Sequence, residues 1–597
     1  MLKKVFGLLS KENKKNAAFV VFVITFQALL EVTGAASIIP LLIIFMDSGN
    51  ALNNNIIEKL NNFSHNIGIP EDTDFTLVFI SALLILTILT FFVRSYTSYR
   101  KNLFVEKTRF SLSKRLLESY LSQPYEYFLT QNSNDLSKNL LSEVDQVIGK
   151  VIHNLVNMAA HLVVGSAILV FLFIINPIVA LATFVVAGGL YAAIYFSVSK
   201  ALFGMGQERL RRNKERFIFA GEIFEGIKSI KVLGKESYSV QKFLEPSFHF
   251  SMINAKRQFI NEVPSYIVEA VAIGALVIFT YFSVTSESSG SPSEFIPMLG
   301  VYAYSFFKLK PAINSVFIGL SGLKYGAKTI EKLLEDLSIQ RPPQPVSDNS
   351  KKLSLKNKIQ LVDVSYHYKE SEAPALSLIN LEIKSGSSVA IVGSTGSGKT
   401  TLINLILDLL APTKGEILLD TQPLNKANAK NWQRNIGYVS QDIFMMDASL
   451  SENIAFGTPK DLIDMDVIKK VAHAAKIDGF IENNLEDGYN TVIGDRGIRL
   501  SGGEKQRIGI ARALYHNPDV LIFDEATSAL DSVTEKEIIE EIYKLSQHKT
   551  IIMIAHRLST VKKCDSIIVL SNGTIETTGT YDELIKRKNS FSTMINI

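Results

Sequence analysis

The sequence predicts a bundle of six membrane-crossing helices followed by a soluble α/β domain of the P-loop kind. Three observations predict it. Long apolar runs separated by basic patches fill the chain to about Leu323. A proline-rich polar break, Arg341-Pro342-Pro343-Gln344-Pro345, follows them. Beyond Lys351, apolar runs that read as buried strands, at 359–364, 388–392, 520–523 and 550–554, alternate with helical segments. That alternation is the pattern of a parallel sheet covered by helices. The domains expected are a membrane part at 1–330, a linker at 331–357 and a soluble part at 358–597.

Six stretches reach the roughly 20 apolar residues that a bilayer crossing needs: 17–46, 75–93, 151–175, 177–203, 263–284 and 295–323. The second continues as an amphipathic helix to about Ser122, where Pro124 stops it. At 1.5 Å per residue such a helix is about 70 Å long, far more than the lipid requires. The third and fourth spans are joined by little more than Asn176-Pro177.

The charges between spans set the orientation. Loop 47–74 holds Lys59 against Asp47, Glu58, Glu71, Asp72 and Asp74, and loop 285–294 holds Glu287 and Glu294 without Lys or Arg. Basic residues instead precede span one (Lys3, Lys4, Lys11, Lys14, Lys15) and follow spans two and four (Arg94, Arg100, Lys101; Arg209, Arg211, Arg212). The positive-inside rule therefore puts both termini in the cytosol. A net charge of +4 distributed this way argues for a membrane and against nucleic acid as the partner. The single cysteine, Cys564, excludes an internal disulfide and suits a reducing cytosol. The first apolar run is too long for a signal-peptide core, so it is retained.

In loop 47–74, Leu52, Ile56, Ile57, Leu60 and Phe63 fall on one face at helical spacing. This predicts a short external helix, either on the membrane surface or packed on its own domain.

The soluble half carries the chemistry. Gly393-Ser394-Thr395-Gly396-Ser397-Gly398-Lys399-Thr400 stands directly after the apolar run 389–392 and before a helical run starting at Thr401. This is a P-loop in its required strand–loop–helix context. Its glycines let backbone N–H groups turn toward phosphate oxygens, and the helix N-terminus adds a favourable dipole. Lys399 is placed to reach the β- and γ-phosphates of ATP, and the Thr400 hydroxyl to ligate Mg²⁺. A second apolar run, 520–523, ends in Asp524 and Glu525. Asp524 is placed to hold Mg²⁺ through water and Glu525 to polarise the attacking water. Taken alone, an acidic pair closing a strand is also an ordinary helix cap.

Further motifs make a resemblance specific. Leu500-Ser501-Gly502-Gly503-Glu504 resembles the signature of ABC ATPases, and Gln441 in Tyr438-Val439-Ser440-Gln441-Asp442 resembles their Q-loop. Ser528-Ala529-Leu530-Asp531 resembles the D-loop, Ala555-His556-Arg557 the switch histidine, and Tyr368 the aromatic residue that stacks on adenine. The likeness covers the soluble half in order and spacing, and six preceding spans extend it to the ABC exporters.

The resemblance implies an ATP-driven half-transporter. It makes Gln441, Glu525 and His556 catalytic, and Gln441 also a Mg²⁺ ligand with Thr400 and Asp524. It makes Tyr368, Gly393–Thr401, Ser501, Gly502, Gly503 and Asp531 nucleotide-binding. Two glycines after Ser501 at a helix start form an anion site, which in the family faces the other subunit's P-loop. One chain carries one P-loop and one signature, so the expected partner is a second copy, arranged head to tail. Two departures stand out: Glu504 where the family usually has Gln, and Asp495 in Gly494-Asp495-Arg496-Gly497 where Glu is commoner. Segments near 132–139 and 217–227 are candidates for helices that couple the two halves.

For the cargo, Lys308 and Lys310 lie inside span six, with Arg94 and Arg257 near the ends of spans two and five. They suggest a basic collar for an anionic phosphate headgroup, although membrane-edge anchoring also explains the arginines. Glu31, inside span one, is expected to pair with a basic side chain. The external helix and the stretch Glu31–Ser37 look like the flippases of lipid-linked oligosaccharides. Membrane lipid and a lipid-linked glycan are the expected partners, and a bacterial inner membrane the expected location. A drug, lipid or peptide exporter of the same architecture is the alternative, and an ATP-gated channel a third reading that intact catalytic residues disfavour. The chain is expected to begin directly with its membrane half, without a leader-peptidase module.

Overall fold

The structure is a computed structural model that describes residues 1–46, 55–66, 70, 74–175, 177–285, 292–338, 352–369, 371–525, 536–538, 540–541, 543–544, 549–554, 561–587 and 591. Asp531, His556 and the proline-rich break at 341–345 lie outside them. The chain forms two compact units: Met1–Gln123 with Tyr127–Gln344, and Pro124–Glu126 with Pro345–Ile597.

The first unit is helical. It runs α1 (Leu2–Leu8), α2 (Lys11–Ala36), α3 (Ile38–Met46), α4 (Asn55–Asn66), α5 (Phe75–Leu121), α6 (Tyr125–Thr130), α7 (Ser133–Lys138), α8 (Val144–Val147), α9 (His153–Ile175), α10 (Pro177–Glu225), α11 (Ile227–Leu233), α12 (Glu236–Thr285), α13 (Pro292–Tyr325) and α14 (Ala327–Ser338). Among the described residues four helical stretches are long and apolar enough to cross a membrane: Lys11–Leu42, Phe75–Leu121, Ser133–Ile175 and Phe184–Glu225. The expected fifth and sixth spans fall within α12 and α13.

The second span behaves as its sequence dictates. Asp74 caps α5 by accepting the Thr76 N–H at 2.9 Å, and the helix continues unbroken for 47 residues to its cap at Ser122. Its lipid-level residues Leu84, Ile85 and Ile88 point outward. Beyond them Phe104, Leu112 and Leu116 turn into a core with Val147, Ile148, Val151, Ile330 and Leu333. The loop 47–74 does contain a helix, α4, with Ile57 buried and Phe63 exposed, while Leu52 lies outside the described residues.

Two expectations shift. The first unit continues past 330, because α14 buries Ile330 and Leu333 fully in its core. Tyr120 donates to Asp336 Oδ2 at 2.6 Å, and Ser119 donates to the Asp336 carbonyl at 2.8 Å. Of the two candidate coupling segments, 132–139 does contain a short helix, α7, capped by Asn132. The other, 217–227, is mostly the uninterrupted end of α10. The break comes at Gly226, and the short helix after it, α11, is closed by Gly234 in a left-handed conformation. Glycine supplies that stop without steric cost.

Two π-helical turns, Asn139–Glu143 and Ile148–Ile152, flank α8. The first presents Glu143 to Arg209 of α10, both side chains buried in an ion pair. Asn213 donates to Glu143 Oε1 at 2.8 Å and to Ser142 Oγ at 2.9 Å, satisfying the carboxylate further. Removing one partner of a buried pair costs about 3–5 kcal/mol, whereas apolar replacement of both is far milder. Arg209→Met alone should therefore lower the melting temperature of the detergent-solubilised protein by several degrees. Glu143→Leu with Arg209→Met should recover most of that loss. Equal losses in the two variants would show that charge pairing does not govern this contact.

The second unit holds two sheets. One is antiparallel, in the order β2 (Leu376–Lys384), β1 (Lys358–Tyr366), β4 (Lys414–Leu419), β5 (Gln422–Pro423). The other has the order β10 (Thr574–Gly579), β9 (Ser566–Ser571), β3 (Ser388–Gly393), β8 (Thr550–Ile554), β7 (Val520–Asp524), β6 (Ile436–Val439). Strands β9, β3, β8, β7 and β6 pair in parallel. The run at 359–364 thus belongs to the antiparallel sheet rather than the parallel one. Ile359 and Leu361, two apart, face inward, and Val364 does so again after a register shift, the mark of a strand covered on one face. Strands β3, β7 and β8 are buried along their whole length apart from half-buried Gly393, as continuous apolar runs require.

Candidate functional site

The parallel register assembles the site. Ile391 of β3 pairs with Ile554 of β8, and Asp524 of β7 pairs with the same Ile554. The three strands therefore end almost flush, and whatever follows them meets at one edge. At such an edge, outside the carboxyl ends of the strands, open α/β sheets bind ligands.

After β3 the chain turns through the P-loop into α15 (Lys399–Ile406). Two glycines are obligatory there. A Cβ on Gly393 would stand 2.4 Å from the Leu570 carbonyl oxygen, and Gly398, at φ 101°, would drive one to 2.7 Å from Leu376 Cδ2. Lys399 is buried and folds over the loop, its Nζ donating to the carbonyls of Gly393 and Ser394 at 2.9 Å each. Burial pulls its ammonium below the usual lysine range, and the carboxylates of Glu525 and Asp524 act against that pull. A phosphate would resolve the tension by supplying negative charge at the same point. Ser394, Thr395, Gly396 and Thr400 are exposed around the loop, and Ser397 is buried with its hydroxyl aimed at no protein acceptor.

Across the edge, Tyr438 of β6 donates to Asp524 Oδ2 at 3.2 Å. Gln441, just beyond β6, donates through Nε2 to Glu525 Oε2 at 2.8 Å. Glu525 adopts φ 51°, a left-handed backbone unusual for this residue type. Tyr368 is half-buried, packs edge-to-face on Tyr366 at 4.9 Å, and shares a hydrogen bond with Thr401 Oγ1 at 3.2 Å. Lys399, Asp524, Glu525 and Gln441 thus lie at one edge, and Tyr368, in the loop after β1, reaches the first turn of α15 through Thr401. Thr400, Gln441 and Asp524 offer only oxygen ligands of the hard kind that suit Mg²⁺.

Ser501 belongs to a different surface feature. It caps the helix Gly502–Tyr515 in a capping box: Ser501 Oγ accepts the Glu504 N–H at 3.3 Å, and Glu504 Oε2 accepts the Ser501 N–H at 2.6 Å. Ser501 and Gly502 are exposed, leaving this helix start open to solvent.

Comparison with known proteins agrees with this arrangement. Residues 376–528 match the family model described as ABC transporter, and residues 36–307 match the ABC transporter transmembrane region. The chain is 31% identical over 521 residues to the heterocyst differentiation ATP-binding protein HepA of Nostoc sp., covering 84% of this chain and 82% of that one. It is 30% identical over 537 residues to an ATP-dependent lipid A-core flippase of Saccharophagus degradans, covering 88% of each. The chain belongs to the ABC transporter family. A solved structure of a bacterial Atm1-family ABC exporter with ATP bound shares the fold, with a TM-score of 0.77 over 98% of both chains at 22% identity. The protein is accordingly a half-transporter of exporter type, one membrane domain followed by one ATPase domain, that couples ATP hydrolysis to transport.

In the membrane half of this ABC transporter the expected collar does not form as four open cations. Lys308 pairs with Glu31 at 3.2 Å, which also supplies the partner expected for Glu31. Lys310 pairs with Glu269. Arg257 is buried with its guanidinium 4.5 Å from the centre of the Tyr325 ring, a cation–π contact. Arg94 remains exposed on α5. A separate apolar cavity of about 450 Å³ opens between α9, α10 and α13.

Two contributors escaped the sequence reading. Tyr438 steadies Asp524, and its signal was its position three residues before Gln441. Arg512, on the helix after Ser501, donates to the carbonyls of Phe444 at 2.7 Å and Asn453 at 2.8 Å. Burial pulls its pKa down to about 10. It ties the segment following Gln441 to the signature helix, and nothing in local sequence announces a contact 68 residues distant.

Replacing Glu525 with Gln retains a hydrogen-bonding group opposite Gln441 but removes the carboxylate that the sequence assigns as the base. ATP binding should persist within about twofold, while steady-state turnover falls by at least the 10²–10⁴-fold typical of losing a general base. Near-normal phosphate release would refute the role assigned to Glu525.

Proposed function

We propose that this transporter moves an anionic, lipid-linked glycan outward across a bacterial inner membrane, working as a homodimer. The observation that carries the reading is an ATPase edge built on Lys399, Asp524 and Glu525 within the same chain as a bundle of long apolar helices. Several relatives named as lipid A-core flippases support a lipid cargo, and the basic residues that flank the apolar runs suit an anionic one.

In this reading the exposed Ser501–Gly503 helix start of one protomer closes over the phosphates held by the P-loop of its partner, so each chain completes the other's site. Lys399 leaves its two carbonyls for the β- and γ-phosphates. Gln441 and Glu525 hold the attacking water, and Glu525 takes its proton. His556 and Asp531 act at the same composite site. Thr400, Gln441 and Asp524 would hold Mg²⁺, which would supply positive charge beside the phosphates. Adenine stacks on Tyr368. Binding ATP between two protomers favours the closed pair and hydrolysis releases it, which biases the membrane helices between two states.

The test is transport by purified protein in proteoliposomes. A pyrophosphate-linked polyprenyl glycan should raise ATPase activity several-fold and move across the bilayer only with ATP. Stimulation by hydrophobic drugs instead would assign the protein to the multidrug class. Unitary ionic currents on ATP addition would make it a channel.

A further inference from the structure

Strand β1 ends on Tyr366, and the loop that follows is pinned along its backbone. The Tyr366 carbonyl accepts the Ala375 N–H at 2.9 Å, and the Tyr368 carbonyl accepts the Ser371 N–H at 3.1 Å. Between them the His367 N–H donates to Thr413 Oγ1 at 3.1 Å. Tyr366 itself is 3% exposed and belongs to the same apolar core as Leu376 of β2 and Leu402 of α15. A phenol buried this deeply needs a partner for its hydroxyl. Glu126 provides it: Tyr366 donates to Glu126 Oε1 at 2.7 Å, and residues Pro124–Glu126 belong to this same compact unit. Burial and the neighbouring Glu126 carboxylate both raise the pKa of the Tyr366 phenol, so it stays protonated and keeps donating.

Tyr368 inherits that rigidity. Its ring meets the Tyr366 ring edge-to-face, with centroids 4.9 Å apart and planes at 86°. In that geometry the positive edge of one ring faces the negative face of the other. The Tyr368 hydroxyl shares a hydrogen bond with Thr401 Oγ1 at 3.2 Å, and Thr401 is buried in the first turn of α15. The ring is therefore fixed at both ends, its body by Tyr366 and its tip by Thr401. A tyrosine loses side-chain freedom when a ligand stacks on it, and here that freedom is already gone. A platform ordered in advance returns more of the contact energy as affinity. Because Thr401 shares its helical turn with Lys399, the same tie sets the ring at a fixed distance from the phosphate loop.

We propose that Tyr366 and Thr401 are positioning residues for the nucleotide, holding the Tyr368 ring as a ready platform for the adenine base at a set distance from the phosphate loop. The assignment rests on the reading in which adenine stacks on Tyr368. Both residues act on the base through that ring, and Glu126 acts one step further back by fixing Tyr366.

Calorimetry on the detergent-solubilised full chain separates base from phosphate, with adenylyl imidodiphosphate as the nucleotide and inorganic tripolyphosphate as the phosphates alone. Tyr366→Leu removes the supporting ring and should weaken the nucleotide about tenfold, within the range of a lost base stack, while tripolyphosphate binds as before. Tyr366→Phe keeps the ring and should restore most of that affinity. Tyr368→Phe cuts the tie to Thr401 and should weaken the nucleotide about fivefold, the worth of one hydrogen bond, again sparing tripolyphosphate. Adding Thr401→Val should leave the ratio of the two affinities where Tyr368→Phe put it, because the shared bond is already gone. An equal loss of both ligands in Tyr366→Leu would make that residue a packing element and overturn the proposal. Wild-type affinities in both Tyr366→Leu and Tyr368→Phe would overturn it too. Tyr368→Ala tests the reading beneath. An unchanged ratio there would sink stacking itself. A lowered ratio, beside wild-type behaviour of Tyr366→Leu and Tyr368→Phe, would keep stacking and remove only the positioning role.

Discussion

The flush ending of β3, β8 and β7 is the constraint on which the catalytic half depends. Parallel pairing fixes where each strand stops relative to its neighbours, and Ile554 is the shared reference for Ile391 and Asp524. A slip of one residue would send every side chain of a strand to the opposite face. Because these strands are buried on both faces, such a slip is opposed by their full apolar surface. The phosphate loop and the two carboxylates are therefore brought together by hydrophobic burial, well before any nucleotide arrives.

The membrane half solves a related problem with the opposite sign. There the outside is apolar, so burial alone cannot say which way a helix faces. Charged pairs supply that information. Glu31 with Lys308 connects α2 and α13, and Lys310 with Glu269 connects α13 and α12. Each pair fixes helix rotation, because an ionised side chain turned toward lipid would be costly. Nearer the helix ends, Glu143 with Arg209 and Tyr120 with Asp336 do the same with larger hydrogen-bond networks. The two lysines that look from sequence like substrate contacts have this orienting role first.

That contrast also explains what could be read from the chain directly. The P-loop was legible because its chemistry needs contiguous residues: Gly393 through Thr400 form one turn with one use. Span two was legible through its apolar run, the amphipathic continuation to Ser122 and its stop at Pro124, all local signals. The antiparallel placement of β1 was missed, because the run at 359–364 reads as one more buried strand and only inward Ile359 and Leu361, two apart, mark it as covered on one face. The partners of Lys308 and Arg512 were not legible, since they lie 277 and up to 68 residues away and depend on helix rotation and loop path. The second candidate coupling helix was misplaced by a few residues. Apolar periodicity continues smoothly through the end of α10, and only Gly226 and Gly234 mark where α11 begins and ends.

Glu504 shows how a departure from family habit is absorbed. A capping box needs an acceptor at the third helical position, and Glu and Gln both provide one. Here the carboxylate accepts the Ser501 N–H at 2.6 Å, so the helix start is as well closed as an amide would make it. The difference is charge. A carboxylate in the first turn is favoured by the helix dipole, so it steadies the signature helix of the separate subunit. The same charge opposes a phosphate approaching Ser501 from outside. The balance between these two effects sits in one side chain, which sets the stability of this helix start against its affinity for an anion.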